Sequence, residues 1–260
     1  MKPFLMSEPW RPHLNSRKLI ETVATRPQGA GQDWDAYLFD HSRRFASDVD
    51  HIAKFVPAGA RMLEVGARPY FLTKALLARG YGMTVLDAHP PSETERALMP
   101  GAAYLQCDLD TDSVPAEDGT FDAVICNEVF EHLRIDLIHS LSELLRVLKP
   151  NGRLLLSTPN LRSLTGLYNL LIRGEAYSCI GDVYENFRDV RNGPGNMGHI
   201  REYTPKEVTT FLRKVGFEID GLIFRSRGCY TRSQRLYHLL TAANPSLRPF
   251  FSVVAHKPAS

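Results

Sequence analysis

Two carboxylates and an imidazole stand close together in the segment Glu128-Val129-Phe130-Glu131-His132. On a helical turn, positions i, i+3 and i+4 share one face, so these three side chains can converge. Such a donor set suits Mg²⁺, Mn²⁺ or Zn²⁺, which would bind a substrate hydroxyl and lower its pKa. The alternative is a histidine that caps or packs, or that acts as a general base without a metal.

A second feature is a strand, a sharp turn and a helix, followed by another strand that ends in a carboxylate. The first strand runs into Gly66, and the second ends at Asp87. α/β proteins hold adenosine-containing cofactors with this layout, because the turn lets the backbone approach and the acid accepts from the ribose. The turn is irregular, since Arg68, Pro69 and Tyr70 follow Gly66.

The elements that must position these residues alternate along the chain. Helical patterns occur at 33–56, 71–76 and 137–148, and residues 204–207 (Thr-Pro-Lys-Glu) form a capping box that starts a helix ending at Gly216. The predicted strands are 62–65, 83–86, 103–107, 121–126, 154–157, 217–224 and 251–255. Strand–helix–strand alternation at this spacing indicates a parallel sheet covered on both faces.

We expect four parts along the chain. They are an N-terminal arm, loose up to residue 30, with a helical cap (1–56), a cofactor-binding core (57–160), a glycine-rich inserted lid or substrate segment (161–203) and a C-terminal completion of the sheet (204–260).

The composition is that of an ordinary globular protein. The 260 residues fit one large domain with embellishments, and 43% of them are hydrophobic. Lys plus Arg (31) nearly balance Asp plus Glu (29), which argues against a nucleic-acid partner. No apolar run resembles a signal peptide or approaches the roughly 20 residues that a bilayer requires. The expectation is a soluble cytoplasmic protein without membrane insertion; the oligomeric state is not indicated.

Several segments between residues 60 and 160 occur together in a recognisable order. They are Leu63-Glu64-Val65-Gly66, Asp87, Cys107-Asp108-Leu109, the run from Gly119 to Asn127, and Arg146-Val147-Leu148-Lys149-Pro150-Asn151-Gly152. In this order and spacing they resemble class I S-adenosylmethionine-dependent methyltransferases. The resemblance implies a Rossmann-like α/β three-layer sandwich. Its seven-stranded, mostly parallel sheet would have one antiparallel strand, with an N-terminal helical arm and an inserted lid added.

The resemblance implies that the first turn binds the methionine portion of S-adenosyl-L-methionine. Glu64, Gly66 and Ala67 would face it, with Glu64 accepting from the ammonium group, and Arg68 and Tyr70 would complete the loop. The family usually has Gly-x-Gly-x-Gly here, whereas this chain has Arg68 and Tyr70 at the second and third glycines. The loop is therefore either a variant that still binds the cofactor or a sign that binding is lost, and the intact acids favour the variant.

The resemblance assigns the adenosine and sulfonium portions to residues that follow the other strands. Asp87 would accept from both ribose hydroxyls, with Ala88 beside it. Asp108 would accept from the adenine amino group, and the Leu109 backbone N–H would reach a ring nitrogen. Asn127 would lie beneath the sulfonium and present its carbonyl to the cofactor.

The Glu-x-x-Glu-His segment is similar to the metal-binding motif of ubiquinone-pathway O-methyltransferases and of small-RNA 2′-O-methyltransferases. In the latter a second histidine precedes a Glu-aromatic-Thr run, and residues 199–204 here read His-Ile-Arg-Glu-Tyr-Thr. The resemblance therefore implies a metal set of Glu128, Glu131, His132 and His199. His132 and Glu131 are the candidate catalytic residues.

The leading hypothesis is a methyltransferase that acts on a hydroxyl of a small molecule or saccharide. One alternative is a metal-dependent RNA 2′-O-methyltransferase, which the near-neutral charge disfavours. A nicotinamide dehydrogenase is another, but its Gly-x-Gly-x-x-Gly pattern fails at Arg68 and Phe71. A scaffold that has lost catalysis through the altered loop is the non-enzyme alternative.

Overall fold

The structure is a computed structural model, and it describes residues 4–7, 12–23, 34–192, 198–226 and 231–259. The strands are β1 Phe4–Ser7, β2 Arg61–Val65, β3 Gly82–Asp87, β4 Ala103–Gln106, β5 Phe121–Asn127, β6 Leu148–Pro159, β7 Glu218–Arg225 and β8 Phe250–His256. The α-helices are α1 Leu14–Val23, α2 Trp34–Phe55, α3 Phe71–Ala78, α4 Glu93–Ala97, α5 Leu137–Val147, α6 Leu164–Tyr168, α7 Val183–Val190, α8 Pro205–Val215 and α9 Arg232–Leu240. Short 3₁₀ turns occur at Phe130–His132 and Pro245–Leu247, and a π-helical turn at Asn169–Arg173.

All of these strands form one sheet in the order β1-β7-β8-β6-β5-β2-β3-β4. β8 runs antiparallel to both of its neighbours, β6 and β7, while the other pairs are parallel. The predicted seven-stranded sheet with one antiparallel strand is thus confirmed. β1 adds an eighth strand at the edge, paired in parallel with β7.

The N-terminal arm differs from the expectation of a loose segment. β1 and α1 both lie within the first 30 residues. β1 pairs with the otherwise open edge of β7, whose backbone groups would lack sheet partners. Ile20 of α1 is fully buried in the core under α2 and α3. Regular elements therefore occur at 4–7 and 14–23, within the part that is predicted to be loose.

The central strands are apolar on both faces, as expected of a parallel sheet with helices on each side. Successive residues of β2 alternate between two cores, with Met62 in one and Leu63 in the other. α1, α2 and α3 pack together over the first core, and α5 and α8 pack together over the second. The sandwich therefore has the three layers that the sequence predicts.

Most element boundaries lie within one or two residues of the predictions, and the largest difference is in β6. The capping box forms, because Thr204 N donates to Glu207 Oε2 at 2.8 Å and Glu207 N donates to Thr204 Oγ1 at 3.3 Å. The helix from Pro205 ends at Gly216, whose φ is 121°. The strand predicted at 154–157 is longer, since β6 runs from Leu148 to Pro159, and β4 ends one residue before Cys107.

Residues 161–203 leave the sheet and return at one place. Asn160 and Tyr203 form a parallel bridge, and Leu161 N donates to Tyr203 O at 3.0 Å. α6, the π-helical turn and α7 lie between these two ends. The described part of this segment is therefore an insertion at the carboxyl edge of the sheet. Across the described ranges, none of the helices combines the length and apolarity needed to span a bilayer.

Candidate functional site

A cavity of about 600 Å³ opens at the carboxyl ends of β2, β3 and β5. Nine of the ten residues that the sequence assigned to the cofactor line it. They are Glu64, Gly66, Ala67, Arg68, Asp87, Ala88, Asp108, Leu109 and Asn127. In an open α/β sheet, ligands bind outside the carboxyl ends of the strands, which is where these residues meet.

Tyr70, the tenth residue, does not lie in the cavity wall, so its assignment to the cofactor needs correction. Its φ of 68° turns the chain inward, and its N–H donates to Ala67 O at 2.6 Å. The side chain is fully buried and packs in a small core with Val85 and Met99. Tyr70 thus supports the loop from beneath.

Gly66 is the point where the β2 turn touches the residues that follow β5. Its φ is 61°, and its N–H donates to Leu86 O at 2.9 Å. A Cβ at this position would lie 2.6 Å from Val129 Cγ2. Only glycine fits both the backbone conformation and this close approach.

Glu64 is a buried carboxyl at the floor of the cavity. Its Oε2 accepts from Thr73 Oγ1 at 2.6 Å. Burial raises the pKa of Glu64 to about 8, although the hydrogen bond from Thr73 opposes the shift. A cation placed against this group would favour its ionised form.

Asn127 is held by a buried ion pair that could not be found from the sequence. Its Nδ2 donates to Asp48 Oδ2 at 3.1 Å, and Asp48 Oδ1 accepts from Arg225 Nη1 at 2.8 Å. Asp48 lies on α2 and Arg225 ends β7, so neither neighbours Asn127 in the chain. This arrangement fixes the amide, and leaves Asn127 Oδ1 buried without a hydrogen-bond partner among the described residues. An acceptor so placed suits a positively charged ligand.

Three of the four residues assigned to a metal converge beside this cavity. The Nε2 atoms of His132 and His199 each lie 4.0 Å from Glu131 Oε1, and one donor atom from each residue lies within 4.8 Å of the others. Glu131 is buried, and its Oε2 accepts from Thr158 Oγ1 at 2.9 Å. Burial, reinforced by the charge of Glu128, raises the pKa of Glu131 well above its usual range.

Both imidazoles are oriented through their other ring nitrogen. His132 Nδ1 lies 2.9 Å from the Gly198 carbonyl oxygen, and His199 Nδ1 lies 3.4 Å from Glu202 Oε1. Such partners fix the tautomer and turn Nε2 toward the centre of the cluster. Burial, with a contribution from His199, lowers the pKa of His132 to about 4. The cluster therefore presents two imidazole nitrogens beside a carboxylate, a set that can accept a proton or bind a metal ion.

Glu128, the fourth proposed metal ligand, does not join this cluster. Its φ is 54°, so the chain reverses there, and the following 3₁₀ turn contains only Phe130–His132. The helical i, i+3, i+4 relation expected for this segment therefore fails. Glu128 Oε1 accepts from Ser157 Oγ at 2.7 Å and lies 3.5 Å from Arg44 Nη1. Glu128 lines the cavity but belongs to a different ionic group.

The strand order and the antiparallel β8 define a Rossmann-like α/β fold, and its cavity lies at the carboxyl edge of the sheet, where such folds bind adenosine-containing cofactors. A family model described as "Methyltransferase domain" matches residues 35–222. The chain therefore belongs to this family, and it is an S-adenosylmethionine-dependent methyltransferase.

Individual relatives and solved structures are also similar to this chain. The chain is 27% identical over 204 residues to a ubiquinone biosynthesis O-methyltransferase of Xanthomonas axonopodis pv. citri (strain 306), covering 74% of this chain and 80% of the relative. An S-adenosylmethionine-dependent methyltransferase structure from Mesorhizobium loti superposes with a TM-score of 0.53 at 17% identity, over 80% of this chain and 96% of that one. The [4+2]-cyclase SpnF gives 0.55 at 17% identity, over 96% and 99%. At such identities the structural likeness shows the fold alone.

Proposed function

We propose that the protein methylates a hydroxyl oxygen of a small-molecule or saccharide acceptor. The observation that carries this proposal is the cluster of Glu131, His132 and His199 at the wall of the cofactor cavity. Oxygen must lose a proton when it gains a methyl group, and these side chains offer proton acceptors or metal ligands at that place. The O-methyltransferase name of the relative supports the same acceptor atom.

The cavity residues fit S-adenosylmethionine. The buried Asn127 Oδ1 has no hydrogen-bond partner among the described residues, and Glu64 also lines the cavity, so these two acceptors suit the sulfonium and the ammonium group of the cofactor. Asp87 and Asp108 would hold the ribose and the adenine amino group. The bound cofactor supplies an electrophilic methyl group on a sulfonium. The chain positions the acceptor oxygen and removes its proton.

The donor set also fits a divalent cation, which Glu131, His132 and His199 would hold. Such an ion would act as a Lewis acid that lowers the pKa of the acceptor hydroxyl. Two imidazoles with one carboxylate favour Mn²⁺, Co²⁺ or Zn²⁺ over Mg²⁺, which prefers oxygen ligands. Without a metal, His132 would accept the proton as a general base.

The metal-free protein is expected to bind Mn²⁺ or Zn²⁺ at least about tenfold more tightly than Mg²⁺, because the donors are mainly imidazole nitrogens. Isothermal titration calorimetry after EDTA treatment measures each dissociation constant. Glu131→Gln should weaken Mn²⁺ binding by at least about tenfold, which corresponds to about 1.4 kcal/mol. The matched control Glu128→Gln should change it by less than about threefold. Equal losses in the two variants would restore Glu128 as a ligand, and an absence of binding heat would leave His132 as a metal-free base.

The acceptor class is tested by methyl transfer itself. The protein is incubated with S-adenosylmethionine and with catechols, phenols, sugars or short RNAs, with and without Mn²⁺, and the products are located by mass spectrometry. Methylation of a small-molecule oxygen is expected. Methylation at the terminal 2′-oxygen of RNA would select the alternative that the position of His199 keeps open. A product methylated only on nitrogen or carbon would overturn the proposal.

Cofactor binding is expected to strengthen as the pH rises toward 8. The pKa of Glu64 is about 8, so its carboxyl is mostly neutral below that pH and must lose a proton to accept from an ammonium group. The affinity for S-adenosylhomocysteine should therefore fall by up to about tenfold for each pH unit below 8. Calorimetry in two buffers of different ionisation enthalpy counts the proton released. Glu64→Gln should remove both the release and the slope, and a variant that kept them would exclude Glu64 as their source.

A further inference from the structure

The guanidinium of Arg68 is bound by oxygens from three separate places. Nη1 donates to Asp87 Oδ1 at 3.1 Å, and Nε donates to Glu95 Oε1 at 3.1 Å. Nη1 and Nη2 also donate to the carbonyls of His89 and Pro90 at 3.3 and 3.2 Å. The side chain is 29% exposed, so these contacts are largely withdrawn from water. Arg68 thus ties the β2 turn to the segment after β3.

These contacts decide which oxygen Asp87 offers to a ligand. Asp87 Oδ1 accepts from Arg68 Nη1 and also from His89 N, the latter at 3.0 Å. One carboxylate oxygen has two lone-pair directions, so Oδ1 is saturated. Oδ2 has no hydrogen-bond partner among the described residues, and Asp87 lines the cavity. Asp87 therefore offers only Oδ2 to the ribose hydroxyls, whereas the sequence predicts that both of its oxygens accept from them.

The rest of the loop keeps Arg68 in this position. The guanidinium carbon lies 5.8 Å from the centre of the Tyr70 ring, within cation–π range, and Tyr70 is fully buried. Glu95 is held in turn, because its Oε2 accepts from Ser92 N at 2.7 Å in the capping box of α4. The fork of an arginine reaches these acceptors together, whereas the single ammonium of a lysine cannot.

We propose that Arg68 is a positioning residue for the ribose, acting through Asp87, so that the loop after Gly66 contributes to binding the adenosine half of the cofactor. The proposal rests on the proposed cofactor site, specifically on Asp87 as the ribose acceptor. In this arrangement Arg68 locks the carboxylate so that Oδ2 alone faces the ligand. The large residues after Gly66 would then support cofactor binding in a different way from the usual Gly-x-Gly-x-Gly loop.

The test uses two ligands that differ in one half. S-adenosylhomocysteine carries adenosine and the amino acid, whereas 5′-methylthioadenosine carries adenosine alone. Arg68→Met should weaken both ligands by the same factor, roughly 10- to 100-fold, as for a lost charge-assisted hydrogen bond. Asp87→Asn should weaken both similarly, and the double variant should lose less than the product of the two factors. Arg68→Lys, which keeps the charge but loses the fork, should fall between.

Arg96→Met is the matched control, because Arg96 Nε donates to Pro91 O at 3.2 Å and its guanidinium lies over the Tyr104 ring. It should leave both dissociation constants unchanged. A loss confined to S-adenosylhomocysteine in Arg68→Met, or no loss, would overturn the role of Arg68. Full binding by Asp87→Asn would instead refute the proposed ribose site. If Arg68→Met does not fold, Arg68→Lys and Glu95→Gln are used instead. The same factor of weakening for both ligands would support the role of Arg68, and a loss confined to S-adenosylhomocysteine would overturn it.

Discussion

Replacing His132 by alanine is expected to lower kcat by about 10³-fold, within the range for a positioned acid–base group. The dissociation constant of S-adenosylhomocysteine should change by less than about threefold, because the cofactor residues hold their own positions. His132 Nε2 lies 4.0 Å from Glu131 Oε1 and its Nδ1 is fixed by the Gly198 carbonyl. Both the metal and the base mechanism need this imidazole. Steady-state kinetics with an accepted hydroxyl compound, together with calorimetry, separate the two effects.

The control for this variant is His139→Ala, a half-buried histidine of α5 outside the cavity lining, whose Nε2 lies 3.1 Å from the Asp112 carbonyl oxygen. Its kcat should stay within about twofold, since His139 does not line the cavity. Unchanged turnover in His132→Ala would remove His132 from the chemistry. A large loss of cofactor binding in the same variant would show that His132 supports the cavity.

Arg225→Met is expected to lower the free energy of unfolding by about 3–5 kcal/mol, the cost of leaving one member of a buried ion pair uncompensated. The side chains of Arg225 and Asp48 are 2% and 1% exposed, and Nη1 donates to Oδ1 at 2.8 Å. Burial raises the pKa of Asp48, while the charge of Arg225 opposes that shift. Cofactor affinity should fall as well, because Asp48 orients the Asn127 amide. Urea denaturation and calorimetry measure the two losses.

Two further variants show whether the loss of stability in Arg225→Met comes from the buried charge pair. Arg153→Met removes an arginine paired with Asp220 at a site where the arginine is 36% exposed, and should cost only about 0–1 kcal/mol. The double variant Asp48→Asn with Arg225→Met should recover part of the stability, because neither member of the pair then remains buried without its partner. If Arg225→Met were as mild as Arg153→Met, the ion pair would have no special role in stability.

The positions of individual helices and strands can be predicted from the sequence, because neighbouring residues alone determine where such an element begins and ends. The capping box of residues 204–207 fixes where α8 begins, and the apolar run at 121–126 fixes β5. The order of the strands follows from the family rather than from any single pattern. β1 could not be predicted, because four residues between prolines form a strand only when β7 offers an open edge.

The residues of the site likewise fall into those that the sequence predicts and those that depend on distant parts of the chain. Asp87 and Asn127 end β3 and β5, and Asp108 lies two residues after β4, so their convergence at one edge follows from the parallel sheet. The position of Glu128 was wrong in the predicted cluster because its left-handed backbone interrupts the helical turn. Asp48 and Arg225 are 177 residues apart, and no local pattern joins them.

The insertion between Asn160 and Tyr203 has an evolutionary consequence. Because its two ends are paired, such a segment can be exchanged or reshaped without disturbing the strands that hold the cofactor. The same segment carries His199, whose Nδ1 lies within hydrogen-bond distance of Glu202 Oε1. The Glu202 carboxylate also accepts from the backbone N–H groups of Ser178 and Cys179, and Cys179 lines the cavity. A change of acceptor made here also alters the support of one proposed metal ligand. Among related proteins, a change of methyl acceptor is therefore expected to be accompanied by a change in the metal requirement.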